Sequence, residues 1–184
     1  MTKQTTSSNN SEALSEQSDA HKIGYKSSKH SVEFCFLAEP TDVNFGGKVH
    51  GGMVMKWIDQ ASYACAAKWS KRYSVTVSAN GIRFIRPILV GQMITVTAQI
   101  VHTGKSSMHI YVVVRACDPK VHKYVVTNRC FITFMAIDES GYPVKVDNFS
   151  PETEEERMLE QVAMHAKEFA IQLDQDFEQK LGWK

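Results

Sequence analysis

The sequence lacks several features that would place it in a specialised class of protein. Its 184 residues carry a net charge of only +1, so composition gives no argument for nucleic acid or an anionic membrane as a partner. No apolar run reaches the roughly 18 residues of a membrane helix, and the first residues lack the apolar core of a signal peptide. We therefore expect a cytoplasmic protein with no nucleic-acid or membrane partner.

The four cysteines show no spacing typical of a metal or redox site. Cys35, Cys65, Cys117 and Cys130 include no CxxC pair, and each lies within an apolar stretch. Free cysteine is usually a small buried side chain, so we expect all four to be buried thiols in a reducing compartment. No metal and no cofactor are predicted.

Composition and periodicity divide the chain into three regions. Residues 1–28 are rich in Ser, Thr, Asn and Gln and are expected to form a disordered tail. Residues 29–148 are predicted to form one domain with a strand at 31–37, a buried helix over 51–69 and several later strands. Those strands alternate apolar and polar residues and are joined by short turns, which predicts an antiparallel sheet with one covered face.

Residues 149–184 are predicted to carry a separate amphipathic helix. Ser150 is the predicted N-cap and Pro151 the first helical residue. We expect this helix to lie on its own domain or on a neighbouring subunit, and a specific partner-binding role is the alternative. The apolar stripe consists of Leu159, Val162, Ala166, Phe169 and Leu173.

A glycine-rich loop runs directly into the predicted central helix. Gly51 and Gly52 stand at its start, where backbone N–H groups are unpaired and favour a developing negative charge. Asp59 lies eight residues later on an otherwise apolar helix and is a candidate base or nucleophile. Together they indicate machinery for attack on a carbonyl. The alternatives are that the glycines only allow a tight turn or close packing and that Asp59 forms an ion pair with a lysine (Lys56 or Lys68).

His50 precedes the two glycines and invites the role of general base. We expect it instead to bond the loop or to line the substrate pocket. No serine or cysteine nucleophile is placed by a motif, so a Ser-His-Asp triad is not predicted.

Four sequence blocks, in this order, carry a family resemblance. Residues 42–52, DVNFGGKVHGG, and 55–59, MKWID, are followed by 83–91, RFIRPILVG, and by 104–107, GKSS. These blocks resemble the hot-dog acyl-CoA thioesterases, in the cytosolic acyl-CoA hydrolase branch, over roughly residues 30–140. The resemblance implies an α+β hot-dog fold, an antiparallel sheet wrapped around a long central helix, with the C-terminal helix added.

The resemblance also implies an activity, hydrolysis of acyl-CoA to a free fatty acid and coenzyme A. Asp59 matches the family's acid, which serves as general base or nucleophile. Asn44 matches the loop asparagine, whose amide could position water or bond the thioester, with a turn-forming role as the alternative. A non-catalytic acyl-CoA-binding hot-dog protein is the second interpretation, and a hydroxyacyl-thioester dehydratase is the third.

The remaining substrate contacts are assigned by chemistry. Coenzyme A carries phosphates, which arginine and lysine bind. The candidates are Arg83, Arg86 and the turn formed by Gly104, Lys105, Ser106 and Ser107. The acyl chain is expected near Met55, Trp57 and Tyr63, with no preferred length assigned.

Spacing along the helix predicts a shared site. Gly51 and Asp59 are separated by about 12 Å along a helix axis, too far for both to approach one carbonyl within about 3.5 Å. Two antiparallel helices from paired subunits would join Gly51 and Asn44 of one subunit to Asp59 of the other. The minimal active unit is therefore predicted to be a homodimer, and the family resemblance implies further assembly into hexamers.

Overall fold

The structure, a computed structural model, describes residues 28–182. All but the last residue of the predicted tail at 1–28 lies outside the described residues. A short 3-10 helix, Pro40–Asp42, follows the first strand. The main elements are β1 (Ser31–Leu37), α1 (Gly51–Ser70), β2 (Ser74–Phe84), β3 (Met93–Thr103), β4 (Ser107–Cys117), β5 (Tyr124–Ala136) and α2 (Glu154–Leu181).

The five strands form one sheet in the order β1-β3-β4-β5-β2, and all neighbours are antiparallel. The predicted antiparallel sheet is confirmed. Among the described residues β2 pairs only with β5 and is therefore an edge strand. Its ladder with β5 shifts register between Asn80 and Arg83, and Gly81 there has φ +62°, a value that favours glycine.

α1 lies across one face of the sheet because its apolar side chains recur at helical spacing. It ends where Lys71 turns left-handed and donates its backbone N–H to the carbonyl of Ala67. The helix's buried residues are Val54, Trp57, Ile58, Ala61, Ser62, Cys65 and Ala66. All of these except Ser62 pack against the inward side chains of the strands and form the hydrophobic core.

Three of the four cysteines are buried as expected, and Cys35 is not. Burial raises the pKa of both Cys65 and Cys130 to about 12, so these thiols stay protonated. The prediction was wrong for Cys35 because side chains alternate along a strand. Phe34 and Phe36 turn toward the core, and the cysteine between them turns away.

α2 begins later than predicted. Its N-cap is Thr153, not Ser150. The Thr153 hydroxyl accepts the N–H of Glu156 at 3.2 Å, and the Glu156 carboxylate accepts the N–H of Thr153 at 3.1 Å. This reciprocal capping box satisfies two donors at once. Ser150 cannot form one, because the residue three positions later is Thr153 and not a Glu or Gln.

α2 lies on the face of the sheet opposite α1. His30 and His102 contact Glu156 and Glu160 of α2 at 3.0 and 2.8 Å. His102 also lies beside His109 of β4. The residues on either side of His109 point into the core, so His109 itself points to the opposite face of the sheet. Of the predicted stripe, Leu159 and Ala166 are half-buried, while the other members, Val162, Phe169 and Leu173, are exposed.

Within the described part of the chain, no helix is both long and apolar enough to cross a membrane.

Candidate active site

The start of α1 leaves one backbone donor free. His50 is the N-cap, and its Nδ1 accepts the N–H of Gly52 at 2.9 Å. The carbonyl of His50 accepts the N–H of Met53 at 2.9 Å. The N–H of Gly51 has no acceptor among the described residues. Of the two predicted donors, Gly52 is therefore occupied and Gly51 is available, and His50 bonds the loop.

Asn44 shapes the glycine-rich loop with one end of its side chain. Its Oδ1 accepts the N–H of Gly46 at 2.9 Å and that of Lys48 at 3.4 Å, an Asx turn. The turn-forming role is thus present. Its Nδ2 has no partner within residues 28–182 and remains available as a donor.

A cavity of about 300 Å³ opens beside this helix start. The guanidinium of Arg86 is anchored at its wall, where Nη1 donates to the carbonyl of Val126 at 2.9 Å. Sequence reasoning missed Asn128, a wall residue that is only 1% exposed. An asparagine at an inward position of an apolar strand was the available signal. The lining includes Asn44, Lys48, Gly51, Val54, Phe84, Arg86, Ile88 and Asn128.

Asp59 is half-buried on α1 and does not line this cavity. Its Oδ1 accepts a hydrogen bond from the Thr76 hydroxyl at 2.7 Å. The alternative of an ion pair is not realised in the described residues, since Asp59 contacts neither candidate lysine. Lys68 instead donates to the backbone carbonyls of Ser28 and Ser31. Thr76 carried no sequence signal, because a threonine in a strand is unremarkable.

The cavity and the Asp59–Thr76 pair lie at different levels of the sheet. Phe84, in the cavity wall, pairs with Asn128 on β5, whereas Thr76 pairs with Phe134. Six strand residues separate the two levels, which is about 20 Å. A single chain therefore does not bring Gly51 and Asp59 to one carbonyl.

The predicted phosphate-binding residues are also separated. Arg86 lines the cavity, and Arg83 is exposed and does not. The predicted phosphate-binding turn lies at the Asp59–Thr76 level of the sheet. Ser107 pairs with Met135 on β5, the residue next to the partner of Thr76. The turn consists of Gly104, Lys105, Ser106 and Ser107. Gly104 donates its N–H to the Ser107 carbonyl at 2.9 Å, and a Cβ there would lie 2.6 Å from Ser107 Oγ. The turn is thus closed tightly, with Lys105 exposed.

The three residues expected at the acyl chain have different surroundings. Trp57 is 8% exposed and packs edge-on against Phe36 with ring centroids 4.9 Å apart. Met55 is half-buried, and Tyr63 is 38% exposed beside Tyr73. None of the three lines the cavity, so their role stays a prediction.

Among residues 28–182, no group of three or more His, Cys, Asp or Glu side chains is arranged to hold a metal ion.

Comparison with known proteins assigns the family. The profile of the Thioesterase superfamily matches residues 46–122. An uncharacterized acyl-CoA thioester hydrolase of Bacillus subtilis is 33% identical over 125 residues, which cover 68% of this chain and 73% of the relative. This chain belongs to the thioesterase superfamily. Among its members it groups with the acyl-CoA thioester hydrolases, which confirms the resemblance found in the sequence.

Solved thioesterases share the architecture. A hexameric acyl-CoA thioesterase is 31% identical and superposes with a TM-score of 0.76, covering 78% of this chain and 92% of the other. An acyl-CoA hydrolase from Staphylococcus aureus, solved with butyryl coenzyme A and coenzyme A, is 26% identical with a TM-score of 0.76. That match covers 83% of this chain and 93% of the other. The expected hot-dog fold is confirmed.

Proposed function

We propose that this protein hydrolyses acyl-CoA to a free fatty acid and coenzyme A, without a metal or other cofactor. The observation that carries the proposal is the free N–H of Gly51, which lies at the positive end of α1 in a cavity lined by further donors. Such donors stabilise the oxyanion that forms when a thioester carbonyl is attacked. Family membership supports the same reaction.

Asp59 is the proposed general base or nucleophile. Its carboxylate either attacks the carbonyl directly, forming a mixed anhydride that water then hydrolyses to the fatty acid, or removes a proton from a water that attacks the carbonyl. In both routes the carbon–sulfur bond breaks and coenzyme A leaves as the thiolate. Thr76 positions the carboxylate through its 2.7 Å hydrogen bond. Asn44, with its free Nδ2, is the proposed partner of the water or of the thioester.

The spacing of the asparagine and the aspartate supports both assignments. The Staphylococcus aureus enzyme has been solved as variants in which an asparagine and an aspartate are each replaced by alanine. Those two positions are fifteen residues apart, as are Asn44 and Asp59 here.

The complete site is proposed to form between two copies of the chain. The free edge of β2 carries exposed apolar side chains, with Val77 53% and Phe84 57% exposed. An antiparallel pairing of two β2 strands centred on Asn80 sets Phe84 of one copy opposite Thr76 of the other. The cavity of one protomer then meets the Asp59 of its partner, twice per dimer. Hexameric relatives support an oligomer.

Phosphate recognition is assigned to cations at both levels of the sheet. Arg86 and Lys48 line the cavity, and Lys105 stands on the exposed turn. In the proposed dimer the cavity of one copy approaches the turn of the other, which would gather the three cations around one coenzyme A. Arg83, which lies outside the cavity lining, remains a proposed cationic contact for the phosphates.

The first experiment is a direct assay. Purified protein is offered acyl-CoAs from acetyl to palmitoyl while free thiol is monitored, and the proposal expects thiol release. Binding without release would favour the non-catalytic acyl-CoA-binding protein. Hydration of crotonyl-CoA would favour the dehydratase.

A mixing experiment tests the shared site. Gly51→Pro and Asp59→Asn are each expected to be nearly inactive alone. In a 1:1 co-assembled mixture, half of the dimers are hybrids and each hybrid holds one intact site, so about one quarter of the parent activity should return. A mixture no more active than its components contradicts a site built from two chains.

A further inference from the structure

Asn128 is a buried amide without a hydrogen-bond partner. It lies on β5 with 1% exposure, and its Nδ2 is fully covered yet bonded to nothing in the described part of the chain. Its Oδ1 likewise makes no hydrogen bond to any described residue. The side chain belongs to the cavity wall that also contains Gly51 and Arg86.

This asparagine is out of place as a packing residue. Its partner across the β4–β5 ladder is Val114, a core residue, and the next inward positions on β5 are Cys130 and Ile132. A buried amide that bonds to nothing destabilises a fold, and nearly all buried polar groups are bonded. An apolar residue would suit the site better, so the amide indicates a ligand group that enters the cavity.

We propose that Asn128 is a substrate-binding residue whose side-chain amide rotates to donate an N–H into the cavity, to a carbonyl oxygen of the acyl-CoA. This inference rests on the proposed function and adds a recognition element to it. A carbonyl is the matching chemistry because the Asn128 amide is neutral and the adjoining wall, Val54 and Ile88, is apolar. The cationic Arg86 and Lys48 of the same cavity suit the anionic phosphates instead.

Two carbonyl sources on acyl-CoA satisfy this chemistry, and they predict different kinetics. If the acceptor is the thioester oxygen, its charge grows in the transition state, so loss of the donor lowers kcat by about 100-fold and leaves the affinity for free coenzyme A unchanged. If the acceptor is an amide of the pantetheine arm, kcat is preserved. KM and the dissociation constant of free coenzyme A then rise together by about 3- to 10-fold.

The test uses Asn128→Leu, which removes the amide at similar volume, and Asn128→Ala, which removes it without adding bulk to the cavity. Steady-state kinetics are measured with butyryl-CoA, and coenzyme A binding is measured by calorimetry. Cys130→Ala is the matched control, since it alters the same face of β5 outside the cavity lining. Both Asn128 variants should show one of the two losses, and the control should match the parent in kcat and KM.

Thermal unfolding separates this role from a structural one. Asn128→Leu should have a Tm at or above that of the parent, because it replaces an unbonded buried amide with an apolar side chain. A lower Tm with kcat, KM and coenzyme A affinity all within twofold of the parent would overturn the proposal. Failure of the proposed function itself would be visible in the parent, as an absence of thiol release whatever occupies position 128.

Discussion

The cavity and the Asp59–Thr76 pair are two halves of the proposed active site, and their chemistry is opposite. The cavity wall offers donors, including the Gly51 N–H and the amides of Asn44 and Asn128, and none of the described residues that line it carries a carboxylate. The pair offers one carboxylate held by one hydroxyl. Attack on a thioester needs a base or nucleophile near the carbonyl carbon and hydrogen-bond donors near the carbonyl oxygen. Each half is therefore incomplete within one chain, which is the physical reason for expecting two copies at each site.

The largest expected effect comes from removing the acid. Asp59→Asn keeps the shape of the side chain but not its basicity, so kcat should fall by at least about 100-fold. Thr76→Val is the graded comparison, since it leaves the carboxylate but removes its orienting hydrogen bond, for a loss of roughly tenfold. Thiol-release assays on both variants measure this. An Asp59→Asn enzyme that retains a tenth of the parent activity would remove the aspartate from the mechanism.

A somewhat smaller effect is expected when the cavity loses its backbone donor. Proline is tolerated at the first helical position, and His50 before it has ψ 134°, as a residue preceding proline requires. Gly51→Pro should therefore delete the N–H, keep α1 and lower kcat by about 100-fold.

Gly51→Ala is the matched control for that variant. It retains the N–H, and its Cβ would lie 3.3 Å from the edge of the Phe84 ring, a contact that a small ring movement relieves. Equal losses in the alanine and proline variants would show that crowding, not the missing donor, lowers the rate.

The smallest effect on activity is expected from a change at His109, on the face of the sheet away from the proposed site. Burial, with repulsion from Lys167 and His102, lowers the pKa of His109 to about 4. Between pH 6.5 and 4 the unfolded chain therefore binds more protons at this residue. Stability that is present above pH 6.5 is lost as the pH falls, by about 3 kcal/mol.

Urea unfolding at pH 7, 5.5 and 4 measures this loss. His109→Gln, which cannot titrate, should lose less stability than the parent toward pH 4. At pH 7 its kcat should equal that of the parent, because His109 lies on the face away from both halves of the site. Parallel pH profiles for the two proteins would contradict the assignment.

Local signals predicted the elements well and the side-chain environments less well. The period of α1 and the alternation in the strands come from near neighbours in the chain, and both were read from the sequence. The exposure of Cys35 depends on which face of β1 meets the core. The start of α2 depends on the reciprocal hydrogen bonds between Thr153 and Glu156, which make Thr153 the N-cap in place of Ser150. Alternatives of this kind are decided by packing and bond geometry.

The sequence alone determined that donor and acid belong to one helix and lie too far apart to serve one carbonyl, because helical rise is a local property of the backbone. It also carried the motifs of the family. Only the tertiary structure decided that His50 occupies the Gly52 N–H, that Thr76 holds Asp59, and that Asn128 and Arg86 line the cavity beside Gly51. Those contacts join residues from separate strands and loops, and strand register, set by the packing of the whole sheet, brings them together.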